Sequence, residues 1–395
     1  MSKKIYIKSF DYNGTFVKVF NDFKIEFFSK KMNVGISNLV ITLARKFDNF
    51  NENSDVTLSN KLELWITDTD TGSTAEKLYT GYVEQHIPKI IGNDEFVDIL
   101  CLSVSSFLTQ DVLKDGSQTT LFSDTTDGLT TTSSSAAEVA DTMKAIIDLF
   151  RENNPTMKVN YSTDISANTI EDTGKTMDYT FIATTYADAI RVCKNTAPQN
   201  WYWYIDENEV FSFKPVPSEA THTFTIGKNI SRIEVNKGLD SMKNIVLIND
   251  GQSAGLYTEY KDDASVELYG RRVRQLTDGA IGDQDTMDNV GASFIAENKD
   301  PRIRIIMEIT DNNEDVLGYD IESIQAGDTC KIVGINPEEE LLTNNMIIQE
   351  VEWADKFARV IIETRQVFDF DAFLLNMRRD IDWQSYSTTL PNSYT

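Results

Sequence analysis

The sequence predicts a mainly β protein with α+β insertions: two β-barrel modules per chain and a small α+β domain between them. Three observations predict this. Alternating apolar runs crowd both ends of the chain, two amphipathic helical stretches fall in the middle, and the two β regions echo each other. At 395 residues the chain exceeds what one core organises, so roughly two to four domains are expected.

Residues 1–113 read as strands: KIEFFS, NLVITLARKF, KLELWITDTD, LYTGYVEQHI and FVDILCLSV alternate apolar and polar side chains, with turn residues between. Strands so close together, without helices between them, predict an N-terminal antiparallel barrel. Residues 114–135, including SQTTLFSDTTDGLTTTSSS, have little to bury and read as an exposed Ser/Thr-rich loop.

Residues 136–217 read as the α+β domain. Ser135 and Glu138 form an S-x-x-E capping box. Val139, Met143, Ile146, Ile147 and Phe150 then share one helical face, and Pro155 follows. A second helix starts near Thr185, buries Tyr186, Ala189, Ile190 and Cys193, and closes before Pro198. NWYWYIDENEVFSFKP reads as two strands around a turn at Asp206–Glu209.

Residues 218–367 return to β through THTFTIG, SRIEVNKG, KNIVLIND, VELYGRRVRQ, IRIIMEIT, DTCKIVGI, NMIIQEVEW and ARVIIETR, forming a second barrel region. One helix over Gln284–Asn298 interrupts them. It starts with Asp283, Asp285 and Asp288, where the helix dipole favours acids, buries Met287, Val290, Phe294 and Ile295, and stops before Pro301. Residues 368–395 open with a last helix, Phe370, Phe373, Leu374, Met377 and Ile381 on one side, and end in a polar tail.

The echo joins two series. KLELWITDTD, LYTGYVEQHIP and EFVDILCLSV match DTCKIVGI, NNMIIQEVEWA and KFARVIIETR in order and shape, each with a polar tip before the returning strand.

Composition excludes several functions. The chain has 37 basic and 62 acidic residues, a net charge of −25, which repels nucleic acid and anionic membranes. Three distant cysteines, Cys101, Cys193 and Cys330, without a CxxC pair, make a disulfide scaffold or zinc site unexpected. The N-terminus does not read as a secretory signal, and no apolar stretch is long enough to span a bilayer, so folding in a cytoplasm is expected.

Catalytic patterns are equally sparse. The only histidines, His86 and His222, belong to no metal-ligand spacing and read as surface or strand residues. HExxH, GxSxG, Walker A and GxGxxG patterns are absent. Asp68-Thr-Asp70-Thr-Gly72 imitates half a calcium loop, but Tyr79 stands where a bidentate glutamate belongs, so a hairpin turn explains it better. Carboxylates are too plentiful for any pair to mark a glycosidase. Trp201–Tyr204 could stack sugars, yet its alternation fits a strand covered on both faces. No catalytic, cofactor or metal site is expected.

Arg271, Arg272 and Arg274 are the one basic cluster. A phosphate grip is disfavoured by the aspartates opening the next helix. A solvated strand face and an ion-paired subunit boundary both remain open.

Together these segments resemble the bacteriophage tail hub proteins. VELYGRRVRQLTDGAIGDQDTMDNVGASFIAENKDPRIRI is similar to their strand, helix and strand. YDIESIQAGDTCKIVG is similar to the strand entry that follows, and NMIIQEVEWADKFARVIIE to their closing hairpin. LVITLARKFDNF, KLELWITDTDTG, LYTGYVEQ, FVDILCLSV and WYWYIDENEVFSFKP agree, so the resemblance runs to about residue 367. The family includes the baseplate hub of contractile tails and the N-terminal module of siphophage tail-associated proteins.

The resemblance implies a non-enzymatic structural hub without cofactor, located at the virion tail tip and assembled in the host cytoplasm. It implies a homotrimer whose two barrels per subunit bridge a sixfold tube to a threefold tip around a DNA channel; the acidic charge then suggests a negative lumen that does not bind the DNA passing through it. Expected partners are distal tail or tail tube proteins and tip, fibre or receptor-binding proteins, with no sequence-specific nucleic acid and no membrane insertion. The Arg271, Arg272 and Arg274 cluster is a candidate interface, and the stripe of Phe370, Phe373, Leu374, Met377 and Ile381 is expected either to anchor a neighbouring tip component or to pack on its own body. Because the chain stops soon after its last helix, a built-in lytic module is not expected. The alternatives are a receptor- or carbohydrate-binding tail protein and a tail-tip cell-wall hydrolase.

Overall fold

The computed structural model describes residues 3–33, 36–44, 56–68, 75–113, 137–157, 159–164, 168–177, 179, 181, 184–198, 200–249, 257–278, 281, 283–310, 319–333, 346–354 and 357–364. They form a mainly β protein in two compact units. One comprises Met1–Pro215 with Met242–Lys299, the other Val216–Ser241 with Asp300–Thr395. The segment Met242–Lys299 belongs to the first unit, although it lies inside the 218–367 region that the sequence suggests as one stretch.

The first unit opens with β1 (Lys3–Phe10), β2 (Phe16–Phe20), β3 (Phe23–Lys31), β4 (Asn38–Leu43), β5 (Lys61–Asp68), β6 (Glu76–Ile91) and β7 (Asp94–Leu102). Their order is β3-β4-β7-β6-β5-β1-β2, every neighbouring pair antiparallel. Among the described residues this is an open path, with β2 paired to β1 alone. Alternation sets the buried face: Leu39, Ile41 and Leu43, Leu62, Leu64 and Ile66, and Val97, Ile99 and Cys101 all turn inward. Full burial stabilises such a side chain by about 1.5–3 kcal/mol each. Gly81 makes room on this face, because a Cβ there would meet the Tyr79 ring. The buried Tyr79 hydroxyl donates to the Cys101 carbonyl at 3.1 Å.

A short helix α1 (Ser105–Gln110) follows, which strand-period reading missed. Next come β8 (Ala137–Glu138), α2 (Val139–Asn153), β9 (Thr176–Met177), α3 (Tyr186–Thr196), β10 (Trp201–Ile205) and β11 (Phe211–Pro215). The 114–135 loop lies outside the described residues, as does Ser135. The capping-box expectation is corrected at its other member: Glu138 is itself the N-cap, its carboxylate accepting from the Ala140 and Asp141 N–H groups. The same side chain accepts from the Thr173 N–H at 2.8 Å. Thr185 caps α3 as expected, accepting from the Asp188 N–H at 3.1 Å. Helices α2 and α3 bury their predicted stripes with Trp201, Trp203, Phe211 and Phe213 in one core.

The chain then gives β12 (His222–Thr225) and β13 (Ile230–Gly238) to the second unit. It supplies β14 (Ile245–Asn249), β15 (Tyr257–Lys261), α4 (Asp263–Tyr269), β16 (Val273–Thr277) and α5 (Gln284–Asn298) to the first. VELYGRRVRQ is therefore not one strand. Its VELY part is the end of α4, started by Asp262 capping the Ser265 N–H and ended at Gly270, whose φ of +74° suits glycine. Helix α5 matches its expected span, capped by Asp283.

The second unit is completed by β17 (Arg302–Thr310), β18 (Thr329–Val333), β19 (Met346–Ala354) and β20 (Phe357–Thr364). Its sheet runs β13-β17-β20-β19, with β18 beside β19 and β12 parallel to β18. Phe224, Ile305, Met307, Ile309, Ile348 and Val360 are wholly buried in its core.

Both echoed segments are antiparallel meanders, β5-β6-β7 and β18-β19-β20. They share a register shift between second and third strands, between Val83 and Gln85 in β6/β7 and between Ile348 and Glu350 in β19/β20. The polar turn of β6/β7, Gly92 and Asn93, is preceded by the exposed Ile90 and Ile91.

Candidate interface

The arginine cluster lies in a three-stranded sheet ordered β15-β14-β16, antiparallel on one side and parallel on the other. One face of this sheet packs on α5 through Val246, Ile248, Ile281, Met287 and Ile295. Gly291 lets α5 approach, because a Cβ there would fall inside the Tyr260 ring. Tyr260 then donates its hydroxyl to Asp288 at 2.6 Å.

Asn244, fully buried, holds the arginine segment in place. Its side-chain amide donates to the Gly270 carbonyl at 2.8 Å, and its carbonyl oxygen accepts the Arg272 N–H at 2.8 Å. Its own N–H donates to the Arg272 carbonyl at 3.0 Å. One asparagine thus fixes the exit of α4 and the entry of β16. Asp262 adds a second clamp by pairing with Lys299 at 2.8 Å. That ammonium and the Ser265 N–H hold the Asp262 carboxyl below the usual carboxylate range.

The three arginines do not share one strand. Arg271 precedes β16 and is exposed, Arg272 is half-buried, and Arg274 is exposed on β16. Strand β16 pairs with β14 alone among the described residues. Leu268, 74% exposed, and Val273, 44% exposed, lie beside them in sequence. The result, among the described residues, is an open sheet edge carrying Arg274 and Val273, with Arg271 and Leu268 exposed in the segment that leads into it. Phe370, Phe373, Leu374, Met377 and Ile381, the other expected interface, lie outside the described residues.

The remaining candidates have structural surroundings. In β10, Trp201, Tyr202 and Trp203 are buried. Trp203 stacks on Phe211 with centroids 5.6 Å apart, and Trp201 packs on Phe213 at 4.9 Å. These rings form core, so the sugar platform has no exposed indole. His86 is on β6 and His222 on β12, both on strands. Buried His222 bridges two groups, its Nδ1 2.6 Å from the Tyr319 hydroxyl and its Nε2 2.9 Å from an Asp328 carboxylate oxygen. Tyr319 is pushed up to about 12, mainly by burial. Burial likewise raises the thiols of Cys101, Cys193 and Cys330, the opposite of an activated nucleophile. Of the imitation calcium loop only Asp68 lies among the described residues. No group of three or more metal-binding side chains occurs among the described residues, nor does a helix long and apolar enough to cross a membrane.

No protein-family model matches the sequence, and no curated protein matches it either. Solved structures do share its fold. The tail protein from Neisseria meningitidis MC58 superposes with a TM-score of 0.59 at 9% identity, over 92% of this chain and 96% of that one. The 43 kDa tail protein of prophage MuSo2 from Shewanella oneidensis gives 0.58 at 10% identity, over 91% and 98%. The prophage tail protein gp18 from Listeria monocytogenes EGD-e gives 0.54 at 10% identity, over 95% and 99%. The chain therefore has the fold of these phage tail proteins.

Proposed function

We propose that this chain is a non-enzymatic structural subunit of a phage-like tail, the hub that joins a sixfold tube to a threefold tip around a DNA channel. The observation that carries the reading is the fold shared, over at least 91% of the chain, with three tail proteins, two of them from prophages. The repeated meander supports it further. In this reading β5-β6-β7 and β18-β19-β20 each belong to a tube-like module, so three copies present six modules to a tube of six. The chain works at the virion tail tip after assembly in the host cytoplasm, beside tube or distal tail proteins on one side and tip, fibre or receptor-binding proteins on the other.

Charge supports the same reading. A net charge of −25 suits the wall of a channel whose phosphate-rich cargo must not stick. Arg271 and Arg274 are then reserved for protein contacts, where guanidinium forks meet carboxylates. The test is antibody labelling of intact particles. Label confined to the distal tail end is expected; label on the shaft or head would contradict the reading.

A further inference from the structure

We propose that the β6/β7 hairpin of one copy docks on the open β2 edge of the next copy, a head-to-tail contact between identical chains. The proposal rests on the ring-forming reading above and names the surfaces that close the ring.

Among the described residues the hairpin extends beyond its neighbouring strands. Pairing of β6 with β5 starts at Tyr82, and pairing of β7 with β4 ends at Val97, yet β6 and β7 stay paired out to Ile91 and Asp94. Gly92, at φ +66°, makes the tight turn. Ile87, Ile90 and Ile91 are 43%, 66% and 60% exposed. Alternation sends Ile90 and Ile91 to opposite faces, so each face of the tip carries an exposed isoleucine opposite a carboxylate, Glu95 or Asp94. A solvated arm has no use for three exposed isoleucines, whereas a docking arm does.

The receptor surface is β2. It pairs with β1 alone, leaving one backbone edge open among the described residues. Phe16, Val17 and Val19 are each at least 40% exposed, and an apolar open edge is a template for another chain. The charges complement each other. Strands β1 and β2 together hold Lys3, Lys4, Lys8 and Lys18 and no acidic residue, with Lys18 on β2 itself. The hairpin holds Glu84, Asp94, Glu95 and Asp98 against Lys89, which pairs with Asp98 at 2.7 Å. In a chain so acidic, a lysine-bearing β1/β2 hairpin and a carboxylate-bearing arm favour a second copy as the occupant. Because arm and edge are different surfaces of one unit, the contact is heterologous and closes into a ring when its rotation allows.

The test uses engineered thiols, since Cys101, Cys193 and Cys330 are all buried. A Val17→Cys chain is mixed with an Ile90→Cys chain under diamide, which takes up the two electrons and two protons released as the disulfide forms. The expected product is a dimer containing one of each chain. Absence of that dimer, or preferential Ile90→Cys self-linkage, overturns the contact. Sedimentation of an Ile90→Asp, Ile91→Asp double variant is the second arm. Association weakened at least about tenfold (~1.4 kcal/mol) with an unchanged circular dichroism spectrum is expected. Undiminished assembly overturns the hairpin contact and leaves the ring reading standing, whereas wild-type protein that sediments as a monomer overturns both.

Discussion

The Tyr82 hydroxyl donates to the Glu209 carboxylate at 2.7 Å, tying the Asp206–Glu209 turn to the middle of β6 although the two residues are 127 positions apart. Lys61 reaches the same carboxylate at 3.5 Å and Glu63 at 3.7 Å. Both glutamates are buried. Glu209 sits at φ +61°, a backbone conformation worth holding only if the side chain is anchored.

Tyr82→Phe removes the donor and leaves a buried carboxylate short of a partner. The expected loss is about 1–3 kcal/mol, read from the urea midpoint. A Tyr82→Phe, Glu209→Gln double variant should lose less than the two single losses added together. Strict additivity would show that the pair is not coupled.

Gly291→Ala tests the approach of α5 to the β14–β16 sheet. Helix propensity alone favours alanine by about 1 kcal/mol. The Tyr260 ring occupies the space its Cβ needs, and overpacking costs about 1–3 kcal/mol. A net lower Tm is expected, relieved when Tyr260→Leu is added. A higher Tm would mean that the ring moves aside freely.

Acid sensitivity should trace in part to Asp262. Its folded pKa is depressed by Lys299 and the Ser265 N–H. Its stabilisation is present above the unfolded value of about 3.9 and is lost as pH falls through the lower folded value. Asp262→Asn should therefore lower stability at neutral pH and shrink the gap from wild type near pH 2. A gap independent of pH would show that the loss does not come from the carboxylate's charge, since asparagine still caps the helix.

Arg271→Glu with Arg274→Glu should leave folding nearly unchanged, because both side chains are exposed. Incorporation into tails should drop sharply, measured by protein composition of purified particles. Normal incorporation would return the cluster to a solvated strand face. The Trp201 and Trp203 contribution to fluorescence, isolated by Trp→Phe replacement of these two residues, should not respond to cell-wall sugars, since both are buried.

The parts of this fold legible in the sequence are those with local signals. Thr185 with Pro198, and Asp283 with Pro301, bracket α3 and α5 with a cap and a stop, so their spans were readable. Helix α4 was not, because VELY fits a strand period as well as a helical one, and the deciding contact is the Asp262 cap. Asn244 left no pattern at all: its role depends on Gly270 and Arg272 returning from 26 and 28 residues away. The exposed β2 edge and the apolar arm were hidden for a related reason. Alternation predicts that strands exist, while exposure depends on which neighbours they lack.

Electron microscopy of the purified protein tests the central claim most directly. The account predicts threefold rings of about the calibre of a tail tube, each with a central hole. A homogeneous population of single subunits at high protein concentration would contradict it.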